Sequence, residues 1–397
     1  MTAQPVRSRA WRAVAVLSVV LLLAACGDDG GETAAPPAAD GTAAPGDGTD
    51  AAAPSGATEG ATQEGAAADA GAADCVDIGP VRIGLTSSAS DAPFYIADAR
   101  GYFEDAGITP EFSTFDSAAQ MIAPLGGGQL DVGAGAPSAG FYNALTRELG
   151  FRIVADKGSM PEGYGYMPLL VRTDLYDSGE VTSPEDFAGL TVAEPAQGTA
   201  TAATLATILE SAGIAYDEVS HEFIGFSEHL TAFQNEAIDA SLTTEPSATL
   251  IEDQGLAVRI GTPPDWYDNQ QLAVILYGEQ FIARDDPAGV CTMIAYLRGA
   301  RDYVAALEDG SVSGEGAEEI TQIVTAATWL DPELYRQITP NWVDPDGRVN
   351  TDSIEQDYQF FKEVGLLEGD VDLTQVVDTS FAEAAVAELG EWEGQRP

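Results

Sequence analysis

Residues 81–108 read VRIGLTSSASDAPFYIADARGYFEDAGI. The first five residues form a short apolar run, which is typical of a buried strand, and a polar, serine-rich loop follows. Pro93 then begins a stretch in which apolar residues recur at helical spacing, and Gly101 ends it. The segment therefore predicts a strand, a loop and a helix, with the loop at the carboxyl end of the strand.

The same alternation of strand and helix continues from this segment to about residue 155 and begins again near Ser183. From Pro287 onwards the pattern is helical. Alternating elements of this kind predict an α/β fold with largely parallel sheets. Two such units joined by two crossings of the chain form a cleft, which is the usual place for a ligand.

We therefore predict two lobes, each a mostly parallel sheet flanked by helices. The first lobe is expected to comprise residues 76–178 and 278–397, and the second residues 179–277. The strand 272–277 is interpreted as the return crossing between them.

The beginning of the chain is typical of an export signal. Three arginines among the first twelve residues precede an apolar run at 13–25, which is shorter than the ~20 residues of a membrane-spanning helix. The run ends in LAACG at 23–27, which resembles a bacterial lipobox. Residues 1–25 are thus predicted to be a lipoprotein signal peptide and Cys26 the lipidated residue. The alternative is an ordinary secretory signal in which Cys26 has no role.

Residues 26–75 are predicted to be a disordered acidic tether rich in alanine, glycine and proline. Between positions 27 and 74 there is no valine, isoleucine, leucine, methionine, aromatic or basic residue. Such a stretch cannot bury enough apolar surface to offset the entropy lost on ordering. It would hold a folded domain away from a membrane surface.

The charge excludes several partners. The chain has 64 aspartates and glutamates against 17 lysines and arginines, and its formal net charge is −47. This charge repels nucleic acids and anionic membrane surfaces, so we expect membrane contact only through the lipid. Most of the excess lies in the folded part, which we interpret as adaptation to a saline environment where counterions screen self-repulsion.

Two cysteines remain after Cys26. An exported protein meets an oxidising environment, so Cys75 and Cys291 can form a disulfide. Two separate buried thiols fit the sequence equally well.

The sequence contains no recognisable catalytic set. The two histidines, His221 and His229, lack a metal-ligand spacing or a neighbouring cysteine. Nucleophile-elbow, phosphate-loop and dinucleotide motifs are absent from the sequence as well. We therefore expect neither an enzyme nor a bound metal or cofactor.

Four local patterns recur in order over residues 81–260. They are VRIG at 81–84 with APFYIA at 92–97 and GYFEDAGI at 101–108, GQLDVG at 128–133 with GAPS at 135–138, SPEDFAGLTVA at 183–193, and NEAIDA at 235–240 with Glu245-Pro246. Their order and spacing are more specific than any one of them. Together they resemble the solute-binding proteins of ABC importers, in particular the group that binds nitrate, sulfonates, taurine and thiamine-pyrimidine precursors.

This resemblance implies a type II periplasmic-binding-protein-like fold that closes around one small solute. It also implies a monomeric extracytoplasmic receptor, anchored to the outer face of the cell membrane, that docks on an ABC permease and its ATPase. In sheets of this kind ligands lie beyond the carboxyl ends of the strands. We call the loops at these ends the wall loops; they are 87–94, 135–138, 197–201 and 243–245.

The candidate ligand-binding residues come from the wall loops and the lobe junctions. Most also have a structural interpretation: the polar ones as helix caps, Phe94 as core, and the junction aromatics as a packed hinge. The candidates are Ser88, Asp91, Pro93, Phe94, Ala136, Ser138, Tyr164, Gln197, Gly198, Thr199, Thr244, Glu245 and Trp266.

Several solute classes remain open. The wall loops contain no lysine, arginine or histidine, which disfavours a nitrate or bicarbonate site that depends on a buried cation. A sulfonate held by hydroxyls and helix N-termini, a pyrimidine-like heterocycle, and an amine facing Asp91 or Glu245 all fit. The alternative functions are a surface sensory or adhesion module without transport, and an enzyme on the same fold.

Overall fold

The computed structural model describes residues 74–147, 149–284 and 286–397, all within one compact unit. The signal peptide, Cys26 and nearly all of the tether lie outside the described residues. The strands are β1 (Gly79–Leu85), β2 (Ile108–Thr114), β3 (Val132–Gly135), β4 (Arg152–Met160), β5 (Leu169–Arg172), β6 (Thr191–Glu194), β7 (Ser220–Phe223), β8 (Ala240–Leu242), β9 (Ala257–Gly261), β10 (Gln270–Tyr277), β11 (Leu307–Glu308) and β12 (Ser311–Val312).

Helices cover the sheets and make up most of the C-terminal region. The α-helices are α1 (Ala92–Ala99), α2 (Tyr102–Asp105), α3 (Ile122–Gly126), α4 (Ala139–Thr146), α5 (Thr173–Ser178), α6 (Ala200–Ser211), α7 (Phe226–Gln234), α8 (Ser247–Asp253), α9 (Glu279–Ile282), α10 (Ala288–Ala305), α11 (Ala317–Thr328), α12 (Pro332–Tyr335), α13 (Thr351–Glu363) and α14 (Ser380–Leu389). Short 3₁₀ helices occupy Ala89–Asp91, Ala118–Met121, Pro184–Asp186, Tyr216–Glu218, Pro263–Asp265 and Leu373–Gln375. Within the described ranges no helix is both long enough and apolar enough to span a bilayer.

Two five-stranded sheets form two lobes. Their strand orders are β2-β1-β3-β10-β4 and β7-β6-β8-β5-β9. In each sheet one strand runs antiparallel to its two neighbours: β10 in the first sheet and β5 in the second. The other neighbouring pairs are parallel, which confirms the predicted two-lobed, mostly parallel α/β fold.

The predicted lobe boundaries need correction. Residues 76–178 were assigned to the first lobe, but β5 within that range pairs with β8 and β9 of the second sheet. Residues 179–277 were assigned to the second lobe, but β10 pairs with β3 and β4 of the first sheet. Both strands are short apolar runs that suit the interior of either sheet, so their composition does not reveal their partners.

The chain therefore passes between the lobes twice, at residues 161–168 and 262–269, and we call these two segments the crossings. The first crossing joins β4 of the first sheet to β5 of the second, and the second crossing joins β9 of the second sheet to β10 of the first. Among the described residues the crossings are the two segments in which the chain connects the sheets, so they are the natural position for a hinge.

The C-terminal helices complete the first lobe. Helix α10 packs against α1 and α14, and Gly299 allows the close approach of the first pair. A Cβ atom at Gly299 would lie 2.2 Å from the carbonyl oxygen of Pro93, far inside van der Waals contact. Cys75 and Cys291 form a disulfide that joins the beginning of the folded part to α10.

Candidate functional site

Backbone hydrogen bonds join the two lobes where their wall loops meet. The amide of Ala139 donates to the carbonyl oxygen of Gly198 at 2.7 Å, and the amide of Ala200 donates to that of Pro137 at 3.2 Å. Gly198 has a φ of +64°, a left-handed conformation that glycine adopts at little cost. The N-termini of α4 and α6 thus face each other across the cleft.

A second inter-lobe contact lies at the other wall loops. The amide of Ala89 donates to the carbonyl oxygen of Glu245 at 2.9 Å, and the amide of Glu245 donates to the carbonyl oxygen of Tyr166 at 2.8 Å. With the pair at α4 and α6, this contact encloses the space between the lobes.

The enclosed space, which we call the inner cavity, has a volume of about 30 Å³. Small and apolar residues form part of its wall, including Ala136, Phe226 and Leu272. The rest of the wall carries hydroxyl groups, each of which can both donate and accept a hydrogen bond. The hydroxyl-bearing residues are Thr86, Ser88, Ser90, Ser117, Tyr166, Thr199, Thr201 and Thr244.

A buried ion pair lies behind these hydroxyls. The ammonium of Lys157, on β4, is 2.7 Å from Oδ1 of Asp91, and neither side chain is exposed to solvent. Lys157 Nζ also donates to Ser90 Oγ at 2.8 Å. Asp91 Oδ2 accepts from the amide of Ser88 at 3.0 Å. The ion pair therefore holds the Ser88–Ser90 segment in place and polarises the Ser90 hydroxyl.

Lys157 weakens the sequence argument against a site that depends on a buried cation. The wall loops themselves contain no cation, but β4 brings one directly behind them. Its charge is matched by Asp91, and a paired charge avoids the penalty of an isolated buried ion. A cation therefore lies behind the wall of the inner cavity, and the Lys157–Asp91 pair as a whole is neutral.

Four of the predicted residues line the inner cavity: Ser88, Ala136, Thr199 and Thr244. They come from all four wall loops and from both lobes. Thr199 precedes the first turn of α6, and its hydroxyl donates to the carbonyl oxygen of Ala196 at 3.3 Å. The wall loops therefore converge as their positions after the strands predict.

Other predicted residues support the wall from behind. Asp91 pairs with Lys157, and Pro93 begins the buried side of α1. The ring of Phe94 packs against that of Tyr296 with a centroid distance of 4.7 Å. Ser138 caps α4 by accepting from the amide of Phe141 at 3.1 Å.

Three further predicted residues lie on the wall loops of the second lobe but do not line the inner cavity. Gln197 is exposed, and Gly198 contributes its backbone carbonyl to the inter-lobe contact. The buried carboxylate of Glu245 is 2.7 Å from Arg259 Nη2 and accepts from the amide of Thr249 at 2.9 Å. Glu245 therefore caps α8 and neutralises Arg259.

The junction aromatics divide between two environments. Tyr164 packs on Trp342 at a centroid distance of 5.4 Å, and Trp266 packs over Gly261; neither lines the inner cavity. Tyr166 does line it, and burial raises the pKa of its phenol. Tyr164 and Tyr166 lie two residues apart, so the loop conformation alone decides which one faces the inner cavity.

Several lining residues were not singled out from the sequence. Ser117 follows β2 and Phe226 follows β7, and both are at carboxyl ends of strands, where ligands gather in this kind of sheet. That positional signal was sufficient to find them. Thr86, which directly follows β1, lies at such a carboxyl end as well. Lys157 carries a different signal, since it is one of only two lysines in the sequence and lies within a strand, β4.

The two histidines lie in the second lobe and do not line the inner cavity. His229 Nδ1 is 2.6 Å from Thr243 Oγ1, and burial lowers the pKa of His229 to about 4. His221 Nδ1 is 2.7 Å from Glu194 Oε1. Burial lowers the pKa of His221, while the hydrogen bond to Glu194 raises it, and the net effect is a raised pKa.

Two α/β lobes that are joined by two crossings and meet over an enclosed polar cavity define the periplasmic-binding-protein class of fold. The sequence profile of the family described as NMT1/THI5 like matches residues 88–307. The match covers more than half of the chain, so the chain belongs to this family.

Solved structures share the fold. The periplasmic nitrate-binding protein of Synechocystis PCC 6803 is 14% identical, with a TM-score of 0.66, over 81% of this chain and 90% of that one. The alkanesulfonate-binding protein of Xanthomonas axonopodis pv. citri, bound to MOPS, is 15% identical, with a TM-score of 0.60, over 75% of this chain and 97% of that one.

An enzyme shares the fold as well. The desulfurization enzyme DSZB is 13% identical, with a TM-score of 0.54, over 78% of this chain and 99% of that one. At these identities the likeness is one of fold. A comparison with curated proteins found no significantly similar sequence.

Proposed function

We propose that the protein is the extracytoplasmic solute-binding receptor of an ABC importer. The observation that carries this proposal is the hydroxyl-lined inner cavity enclosed between two lobes. Its wall draws on both lobes, as Ser88 and Thr199 illustrate, so a bound solute contacts both and favours their closed arrangement. Two structures of similar fold, named for binding nitrate and alkanesulfonate, support this assignment.

Binding suits this cavity better than catalysis. Among the described residues that line it there is no histidine, cysteine or carboxylate. The carboxylate of Asp91, which follows the lining residue Ser90, is held by Lys157, and Cys75 and Cys291 are joined to each other. Nucleophilic and acid–base catalysis both need such groups within hydrogen-bond reach of the reacting atoms.

The favoured solute has a compact polar head rich in oxygen, such as a sulfonate. A hydroxyl group can donate its proton to an oxyanion, and the Ser90 hydroxyl is polarised by the Lys157 ammonium 2.8 Å away. The second candidate is a pyrimidine-like heterocycle, which the rings of Tyr166 and Phe226 at the cavity wall would favour by stacking.

Delivery requires partners and an anchor. In this proposal the signal peptide at 1–25 directs export, lipid on Cys26 holds the protein to the outer face of the membrane, and residues 27–74 act as the tether. A monomeric closed receptor then docks on a permease that is driven by its ATPase. A surface sensory or adhesion module would keep the same cavity and lack the transporter.

A thermal-shift screen tests the proposal. The panel comprises sulfonates, pyrimidines, flavins, polyamines and nitrate. A solute that binds the folded state stabilises it by about 2.7 kcal/mol at one hundred times its Kd. We expect a sulfonate to raise the unfolding temperature and to remain chemically unchanged. Turnover of the stabilising compound would instead support an enzyme, and no stabilisation by any member would count against the receptor.

A further inference from the structure

A set of buried hydrogen bonds joins the two lobes beside the inner cavity. Gln270, the first residue of β10, is fully buried in the first lobe. Its Oε1 accepts from the hydroxyl of Thr204 at 2.6 Å, and its Nε2 donates to the carbonyl oxygen of Ala200 at 3.2 Å. Both partners lie on α6 of the second lobe, which also carries the lining residue Thr201. Gln270 therefore connects the first sheet to a helix that forms part of the cavity wall.

The same glutamine contacts a buried carboxylate. Its Nε2 lies 3.3 Å from each oxygen of Asp357, on helix α13 of the first lobe. The hydroxyl of Tyr267, in the second crossing, donates to Asp357 Oδ1 at 2.8 Å. Asp357 is 1% exposed, and α6 packs against α13. The carboxylate is therefore buried where the first lobe, the second lobe and a crossing meet.

No cation balances the charge of Asp357. Within the part of the chain that the structure describes, no lysine, arginine or histidine pairs with it. The titratable groups that face it are two phenols, Tyr267 from the crossing and Tyr142 from α4, while α6 and β10 contribute uncharged side chains. Burial raises the pKa of Asp357 to about 8, although the hydrogen bonds from Tyr267 and Gln270 oppose this rise. The closed arrangement therefore favours the neutral acid.

The site has hydrogen bonds for both protonation states. The phenol oxygen of Tyr267 lies 2.8 Å from Asp357 Oδ1 and 3.2 Å from the carbonyl oxygen of Ser353. When Asp357 is ionised, the phenol donates to the carboxylate. When Asp357 carries a proton on Oδ1, that O–H donates to the phenol oxygen and the phenol proton turns to Ser353. Oδ2 still accepts from Gln270, so a proton is accommodated without leaving a polar group unpaired.

We propose that Asp357 is a proton site coupled to lobe closure, so that the protein takes up one proton from the solvent when it closes on a solute. This proposal rests on the receptor function proposed above. When the lobes separate, α6 leaves Gln270, and water reaches the Asp357 carboxylate and stabilises its charged form. Closing reverses the change. By linkage, the proton taken up on closing strengthens solute binding at low pH.

The two pKa values of Asp357 give the direction and the range. A hydrated carboxyl in the open form has an ordinary pKa near ~4, whereas burial raises the pKa of Asp357 in the closed form to about 8. The contribution to affinity is thus complete below the lower value and is lost as the pH rises through the higher one. Between them the affinity falls by up to about tenfold per pH unit.

Asp156 provides a matched comparison. Burial raises its pKa to about 7 as well. However, its carboxylate accepts from Gln271 Nε2 at 2.6 Å, from the amide of Asp344 at 2.7 Å and from Ser159 Oγ at 3.2 Å. All three donors belong to the first lobe, so closure leaves these bonds unchanged. Asp156 should affect stability and not the pH dependence of binding.

Calorimetric titration of methanesulfonate between pH 6 and pH 9 tests the coupling. The wild type and Asp156→Asn should lose affinity up to about tenfold per unit to about pH 8 and then level off. Asp357→Asn is neutral at every pH, so it should keep its affinity throughout and bind more tightly than the wild type at pH 9. Equal pH profiles of the wild type and Asp357→Asn would overturn the proposal. Uniformly weaker binding by Asp357→Asn would also overturn it, because a merely structural role gives that result.

A measurement without solute separates this proposal from the receptor function. Spin labels on Glu104→Cys in α2 and Glu210→Cys in α6, both exposed positions, report the distance between the lobes in a chain that also carries Cys26→Ser. We expect a larger share of the longer distance at pH 9 than at pH 6, and no such change when Asp357→Asn is added. A distance distribution independent of pH would overturn the proton site. The expected change in a protein that binds no panel compound would support the proton site and overturn only the receptor function.

Discussion

The ammonium of Lys157 lies 2.7 Å from the carboxylate of Asp91, and both side chains are fully buried behind the inner cavity. Lys157 is one of only two lysines in a chain of 397 residues. The other, Lys362, pairs with Asp370 on the surface. The buried pair therefore reflects a specific arrangement at the cavity wall and not the general surface chemistry.

Removing one member of the buried pair should destabilise the protein strongly. Lys157→Met leaves the Asp91 carboxylate buried without its counterion, which costs about 3–5 kcal/mol. The double variant Lys157→Met with Asp91→Leu should recover much of this loss, because no charge then remains. Denaturant unfolding measures the free energy of unfolding of both variants.

Lys362→Met is the control for this comparison. Its partner Asp370 is exposed, so the charge left behind is solvated and the midpoint of unfolding should hardly change. A Lys157→Met protein as stable as Lys362→Met would show that the buried pair has no structural role.

Stability should fall as the pH rises from 6.5 to 9. Burial raises the pKa of Asp156 to about 7 and that of Asp357 to about 8. Each carboxyl has an ordinary pKa near 4 in the unfolded chain, so its contribution is fully present below about pH 4 and is lost as the pH rises through the folded-state value. His229, with its pKa lowered to about 4, is neutral throughout this range and adds nothing.

Asp357→Asn tests this assignment. The amide can still accept the hydrogen bond that Tyr267 donates to Asp357 Oδ1 at 2.8 Å. We expect the variant to lose about 1–2 kcal/mol of the pH dependence between 6.5 and 9. Thermal unfolding across this range provides the measurement, and Asp352→Asn, at an exposed position of the same helix, is the control. A wild-type slope in Asp357→Asn would assign the pH dependence elsewhere.

The disulfide should make a large contribution to stability. It joins Cys75 and Cys291 across a sequence separation of 216 residues. In the chain-entropy description a cross-link over a long loop restricts the unfolded chain strongly, with typical gains of about 2–5 kcal/mol. Reduction with dithiothreitol, or the pair Cys75→Ala and Cys291→Ala, should lower the free energy of unfolding by this amount. Equal unfolding midpoints of the reduced and oxidised proteins would contradict the prediction.

The acidic surface should make stability depend on salt. With a formal net charge of −47, like charges repel across both lobes. The screening length is about 30 Å at 0.01 M salt and about 3 Å at 1 M. We therefore expect the unfolding temperature to rise between these concentrations. An unfolding temperature indifferent to sodium chloride would count against adaptation to a saline environment.

The sequence predicts those strands and helices in which the spacing of apolar residues alone indicates the buried face. Strand β1 and its following helix are recognisable because Val81, Ile83 and Leu85 alternate on one buried face and Pro93 begins a helical repeat. Helix α14, Ser380–Leu389, lies in the region after Pro287 where the pattern predicts helices. Local periodicity is sufficient in these cases.

The remainder depends on which parts of the chain pair with each other. The apolar runs of β5 and β10 fit either sheet, so their composition does not predict where the chain crosses between the lobes. The environment of the Lys157 side chain likewise depends on the wall loop 87–94, which packs against β4. Tyr164 and Tyr166 differ only in how one loop turns, and no local pattern distinguishes them.

The most direct test of the central claim is calorimetric titration of the stabilising solute into the wild type, Thr199→Val and Gln197→Ala. Thr199 lines the inner cavity, and Gln197, two residues earlier in the same loop, is exposed. We predict one-to-one binding by the wild type and by Gln197→Ala, and binding about tenfold weaker by Thr199→Val. Equal affinity of all three proteins would contradict the placement of the solute between the lobes.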